Sequence, residues 1–222
     1  MGSDDVFKKR KAERQKRKYE TKNPYPDSFL IITEGECTEP FYFEGLKKVV
    51  QNKAGRDNIS IKVYGQGYNT VSLVNSVEQI ISEEKILYKE IWVVFDKDDF
   101  QHFDEAIISA EKKGYQAAWS NPSFEYWLLL HFQYVDGALH RSDIQKKLND
   151  IFKAQIGKRY IKGDSDLFDD VTVNGSLKKA ISHAAKIRDN YGKLDKPSKC
   201  DPCTTVDLLV KKFENYLGDS VT

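Results

Sequence analysis

Regular patterning begins at Ser28, where Ser-Phe-Leu-Ile-Ile-Thr forms a short apolar run. A run of that length is too short for a buried helix and suits a strand covered on both faces. Ile91-Trp92-Val93-Val94-Phe95 reads the same way and stops abruptly at Asp96-Lys97-Asp98-Asp99. Ile59 to Tyr64 alternates as a strand between these two, and Tyr115 to Ser120 follows as a fourth. The intervening stretches carry apolar residues at helical spacing. They run from about Pro40 to Asn52 (Phe41, Leu46, Val49, Val50), Val71 to Leu87 (Leu73, Val77, Ile80, Ile81) and Phe103 to Lys113 (Phe103, Ala106, Ile107, Ala110). Thr38 is placed to cap the first, with Pro40 in its first turn. Gly114 is placed to end the third. Asn121-Pro122 then breaks the pattern, and Phe124 to Phe132 reads as a very apolar helix that carries Glu125 and His131.

Strand followed by helix, repeated, predicts an α/β fold: a Rossmann-like parallel sheet flanked by helices, because parallel strands need crossovers. Past Phe132 the pattern becomes helical, at about Ser142 to Lys153, Leu177 to Asn190 and Thr205 to Leu217, with a polar connection from Gln155 to Thr172. The expected division is a basic arm and linker over 1–27, an α/β core over 28–135, and a helical extension over 136–222 packed on that core.

Composition narrows the setting. The chain has 222 residues, 40% hydrophobic and 31% charged, with a net charge of +1. No apolar run approaches the roughly 18 residues a membrane span requires. The N-terminal stretch is basic and polar with no apolar segment behind it, which argues against a secretory signal. The three cysteines do not make a disulfide framework, so a reducing cytoplasm is the expected location and no membrane contact is expected. The near-zero charge conceals a basic run, Lys8 to Lys22, before Asn23-Pro24-Tyr25-Pro26. It reads either as a solvated arm or as a contact for nucleic-acid phosphates.

Two acidic clusters stand just past the ends of two apolar strands: Glu34, Glu36 and Glu39, and Asp96, Asp98 and Asp99. In open α/β sheets, ligands bind beyond the carboxyl ends of the strands. Carboxylates crowded there repel one another unless a cation neutralises them, and hard oxygen ligands favour Mg²⁺ or Mn²⁺. If strand geometry continues past Asp96, Asp96 and Asp98 point the same way. A polar turn leading into a helix is the plain alternative. Glu125 is placed either over this site or simply in a helix's first turn. His131 on an apolar helix reads as a hydrogen-bonded core residue. Gly65-x-Gly67 lacks the rest of any phosphate-binding fingerprint and reads as a strand-to-helix turn. Cys200-Asp-Pro-Cys203 lacks partners for zinc. Lys178, Lys179, Lys186 and Arg188 form a patch on one helix, and Thr204 and Thr205 precede the last.

A strand ending in Glu34-Gly35, followed after one intervening strand by another ending in Asp96-x-Asp98, resembles the Toprim fold of topoisomerases, primases and some nucleases. More closely, three stretches resemble the RloB-like family of prokaryotic restriction and abortive-infection loci. They are Ile32-Thr-Glu-Gly-Glu-Cys-Thr-Glu-Pro-Phe-Tyr-Phe-Glu-Gly-Leu46, Val94-Phe-Asp-Lys-Asp-Asp-Phe100 and Ser120-Asn-Pro-Ser-Phe-Glu-Tyr-Trp-Leu-Leu-Leu-His-Phe132. The resemblance implies a Toprim-like sheet and a metal site of Glu34, Asp96 and Asp98, with Glu39 as a further ligand and Glu125 as a functional acid. It also implies Mg²⁺-dependent hydrolysis of DNA or RNA in anti-phage defence, with an AAA- or ABC-type ATPase as a partner. The rival readings are a non-catalytic subunit that binds nucleic acid or the ATPase, and a phosphotransfer enzyme acting on small nucleotides. An assisting lysine is expected among Lys97, Lys162, Lys178 and Lys179.

Overall fold

The computed structural model describes residues 27–55, 58–65, 67, 70–84, 86–98, 100–192 and 195–217. The basic run of the N-terminal arm, Asp99 and the middle of the glycine turn lie outside them. Four parallel strands, β1 (Asp27–Thr33), β2 (Ile59–Gly65), β3 (Glu90–Asp96) and β4 (Gln116–Asn121), alternate with helices α1 (Thr38–Ala54), α2 (Thr70–Glu84) and α3 (Phe103–Lys112). Helix α4 (Phe124–Leu130) follows β4. The strand order is β2-β1-β3-β4-β5, where β5 (Cys203–Thr204) pairs antiparallel to β4. The expected α/β architecture holds, with a mostly parallel sheet between helical layers.

Each apolar run splits its side chains between two cores, because successive residues of a strand face opposite sides. Leu30, Ile32, Val93 and Phe95 pack under α2 and α3 with Leu73, Val77, Phe103 and Ile107. Phe29, Ile31, Trp92 and Val94 face the larger cluster, which takes in Tyr42, Phe43 and Leu46 of α1 and the whole apolar length of α4. Every residue of α4 is buried. Its lack of an amphipathic stripe is the signature of a helix enclosed on all sides.

The chain after Phe132 joins this same cluster through α5 (Arg141–Ile151), α6 (Leu167–Val173), α7 (Leu177–Asp189), α8 (Val206–Lys211) and α9 (Glu214–Leu217). Several expectations need correction here. The polar Gln155–Thr172 connection contains most of α6, whose Leu167, Phe168 and Val171 are a stripe too short to stand out in sequence. The last helix is broken between Lys211 and Glu214. The extension is not purely helical, since it contributes β5 to the sheet. Thr204 and Thr205 do more than cap. Thr205 Oγ1 accepts from the Trp119 amide at 2.9 Å and Thr204 Oγ1 lies 3.1 Å from Ser120 Oγ, which stitches the segment to β4. Thr38 is the first helical residue of α1 and not its cap, which falls at Cys37 without a side-chain bond. Arg188 is not part of a solvated basic patch, because its guanidinium turns inward to Asp207.

His131 is a core residue, as its setting suggested. Its Nδ1 donates to the Trp127 carbonyl at 3.1 Å and its Nε2 faces the Tyr42 hydroxyl at 3.4 Å. Burial lowers its pKa from 6.5 to about 4. The neutral ring is therefore preferred in the folded chain, and its contribution to stability is complete above pH 6.5 and lost as pH falls toward 4. The stability difference between wild type and His131→Leu should shrink by about 3 kcal/mol between pH 7 and pH 4. Urea denaturation of both proteins across that range checks this, and a pH-independent difference would refute it.

Candidate metal centre

β1 turns to β2 on one side while β3 and β4 lie on the other, so the strand order reverses between β1 and β3. A crevice at the carboxyl ends of such a pair is where α/β sheets hold ligands. Glu34 follows β1 directly, and its backbone is held from both flanks. Its N–H donates to the Val94 carbonyl at 2.9 Å and its carbonyl accepts from the Gly67 N–H at 3.0 Å. Thr33 Oγ1 closes the turn by donating to the Gly35 carbonyl at 2.8 Å. Gly67, at φ 61°, thus wires the β2 loop to the Glu34 turn, which is the plain reading of the glycine pair.

Asp96 ends β3 beside it, its N–H reaching Glu34 Oε2 at 3.4 Å. Asp96 Oδ1 is buried and lacks a hydrogen-bond partner. Burial first, then the carboxylates of Glu39, Glu125 and Glu34, hold the Asp96 pKa well above the usual range. Glu39 comes from the first turn of α1, and its carboxylate packs directly against Gly35, where a Cβ would push it aside. Burial raises the Glu39 pKa to about 7, with Glu125 and Glu34 adding to the rise and Lys162 opposing it. Glu125 is only 1% exposed. Lys162 Nζ meets its Oε1 at 3.1 Å and Gln145 Nε2 donates to the same oxygen at 3.3 Å. Lys162, Glu34 and Glu39 share the wall of a cavity of about 630 Å³.

The structure therefore gathers Glu34, Glu39, Asp96 and Glu125 from two strand ends and two helix starts. Asp98 departs from the expected alignment with Asp96. Its φ of 35° shows that strand geometry ends at Asp96, and its carboxylate turns to Arg141. Of the lysines considered, Lys162 is the one at the acids. Lys97 Nζ donates to the Asp98 carbonyl at 3.2 Å, and Lys178 and Lys179 lie on the exposed face of α7. Lys162 was one unranked lysine of four in the sequence, and Gln145 and Tyr160, which also lie beside Glu125, went unnoticed, since only folding brings their segments to α4. Cys200 and Cys203 are free, buried and packed near Trp119.

In kind, the donors suit a hard divalent cation, being carboxylate oxygens with one buried and unpartnered. Among the described residues, no three His, Cys, Asp or Glu side chains already converge on one point. Binding would then require the carboxylates to rotate inward and shed protons. Without metal at pH 8, Glu39→Gln should stabilise the fold by on the order of 2 kcal/mol, since the ionised carboxylate is then a buried cost. Glu39 contributes stability below pH 4.5 and loses it as pH rises through about 7, so the benefit should vanish in acid. Thermal unfolding in EDTA at both pH values measures it, and no stabilisation at pH 8 would count against the buried-acid account.

An α/β protein with an acid cluster at its switch point is the class that fold and site define. The family model described as RloB-like protein matches residues 29–213. The chain belongs to the RloB-like family. No match is found among curated proteins or among solved structures.

Proposed function

We propose that this protein hydrolyses phosphodiester bonds of nucleic acid with Mg²⁺ or Mn²⁺, held by Glu34, Glu39 and Asp96. The observation that carries the reading is four acids gathered at the β1–β3 switch point, one with a buried unpartnered oxygen, beside a lysine. A bound divalent cation supplies Lewis acidity toward the phosphate and acidity to an attacking water. With such an ion bound, Glu125, oriented by Lys162 and Gln145, would be the group to accept a proton from an attacking water. Lys162 places an ammonium where it offsets the charge growing on the phosphate oxygens. The setting in anti-phage defence and an AAA- or ABC-type ATPase partner rest on family resemblance alone.

Among the described residues no three such side chains converge, which favours one rival: a non-catalytic subunit that uses the same fold to bind nucleic acid or an ATPase. A divalent-dependent cleavage assay on labelled DNA and RNA, comparing wild type with Glu34→Gln and Asp96→Asn, separates the two. Metal-dependent cleavage lost in both variants supports the hydrolase, and cleavage surviving in both overturns the site.

A further inference from the structure

A second cavity of about 420 Å³ opens on the β4 side of the acids, lined by Lys97, Asp98, Pro122, Leu139, His140 and Arg141 among others. It is built onto the same frame as the centre. The Lys97 amide donates to the Ser120 carbonyl at 2.7 Å and the Asp98 amide to the Pro122 carbonyl at 3.0 Å, which joins the end of β3 to the start of α4. Helix α5 spans both places. Gln145 touches Glu125, and Arg141, one turn earlier and about 6 Å along the axis, sits at the cavity.

The lining is mixed in a way that selects the ligand. Lys97 and Arg141 stand against Asp98 and Asp201, so the formal charge is balanced. A bare anion would gain little from it. Pro122, Ala138 and Leu139 give an apolar wall. The polar residues are already tethered: Asn121 Nδ2 donates to the Cys200 carbonyl at 2.8 Å, and Ser198 Oγ donates to Asp104 at 2.6 Å. A pre-set wall of this kind suits a flat, largely neutral group joined to one phosphate. Asp98 holds one edge of the Arg141 guanidinium, and a guanidinium carries five donors in a fixed fork.

Resting on the hydrolase reading for its position, we propose that this cavity holds the nucleotide next to the scissile phosphate. The base lies against Pro122 and Leu139, and its phosphate meets Arg141 and Lys97. Asp98 is then a positioning residue for Arg141. The substrate is a polynucleotide strand that continues past the centre.

The test uses the full chain and short fluorescein-labelled single-stranded DNA and RNA, with anisotropy read in Ca²⁺ over a range of salt. Arg141→Ala should bind about tenfold more weakly. Its plot of log affinity against log salt should be shallower by about 0.7, the loss of one phosphate contact. Lys97→Ala should act in the same direction. Asp98→Asn should weaken binding by severalfold while its Mg²⁺ affinity, by calorimetry, stays at the wild-type value. Where cleavage is measured, Arg141→Ala should raise KM and spare kcat. An unchanged affinity and salt slope in Arg141→Ala, with wild type still cleaving, overturns the cavity and leaves the hydrolase standing. Loss of Mg²⁺ affinity in Asp98→Asn overturns its positioning role. If wild type cleaves no phosphodiester but Arg141→Ala still loses strand affinity, the hydrolase falls and the nucleotide cavity stands.

Discussion

Asp96→Asn should abolish metal-dependent cleavage, with kcat lower by on the order of 10³. Asp96 lies at the end of the central β3 strand, between Glu34, which follows β1, and Glu125, which follows β4. Asparagine keeps its shape and an acceptor for the Phe124 amide, which faces the Asp96 carboxylate. It loses the negative charge and carries an NH2 group in place of the second oxygen. The fold should therefore survive, and metal-free stability at neutral pH should not fall, because burial and three neighbouring carboxylates already disfavour the ionised form. Rates on labelled DNA and RNA in Mg²⁺ and Mn²⁺, alongside urea denaturation of the same samples, give both readouts. A wild-type rate in this variant would remove the centre from its assigned place.

Asp207→Ala should cost about 3–5 kcal/mol of stability without touching the acid cluster. Asp207 is fully buried in the first turn of α8, and both its oxygens are taken by Arg188, with Nη2–Oδ2 at 2.7 Å. Arg188 also donates to the Thr204 carbonyl at 2.8 Å. One guanidinium thus ties α7, β5 and α8 together. Removing the carboxylate leaves a cation facing the interior with its partner gone, which costs far more than losing a surface pair. Replacing both residues with apolar ones of similar volume should recover most of the loss. Urea midpoints for the single and double variants measure this, and a loss below about 1 kcal/mol in the single variant would mean that the pair is not a buried one.

The sheet was legible because burial on both faces leaves a local trace: Phe29 to Ile32 and Ile91 to Phe95 are apolar at every position. The helix stripes facing it were legible for the same reason. Short elements were not. Cys203-Thr204 forms a strand only because β4 offers an edge, and Leu167 to Val173 forms a helix against α1 with too few residues to establish a period.

The candidate site divides along the same line. The sequence by itself determined that acids follow two buried strands, since Glu34 and Asp96 each end an apolar run. That placement is a matter of adjacent residues, and strand chemistry is local. Which acids meet was decided by tertiary structure. Asp98 leaves the group because φ turns positive one peptide beyond the strand's flanking residue, a change that no side-chain pattern records. Lys162 enters it because a loop distant in sequence is folded over α4, and Arg141 faces Asp98 because α5 packs against α4. Charge pairing acts through space over a few ångströms, so it is written in the packing of helices and not in the order of residues.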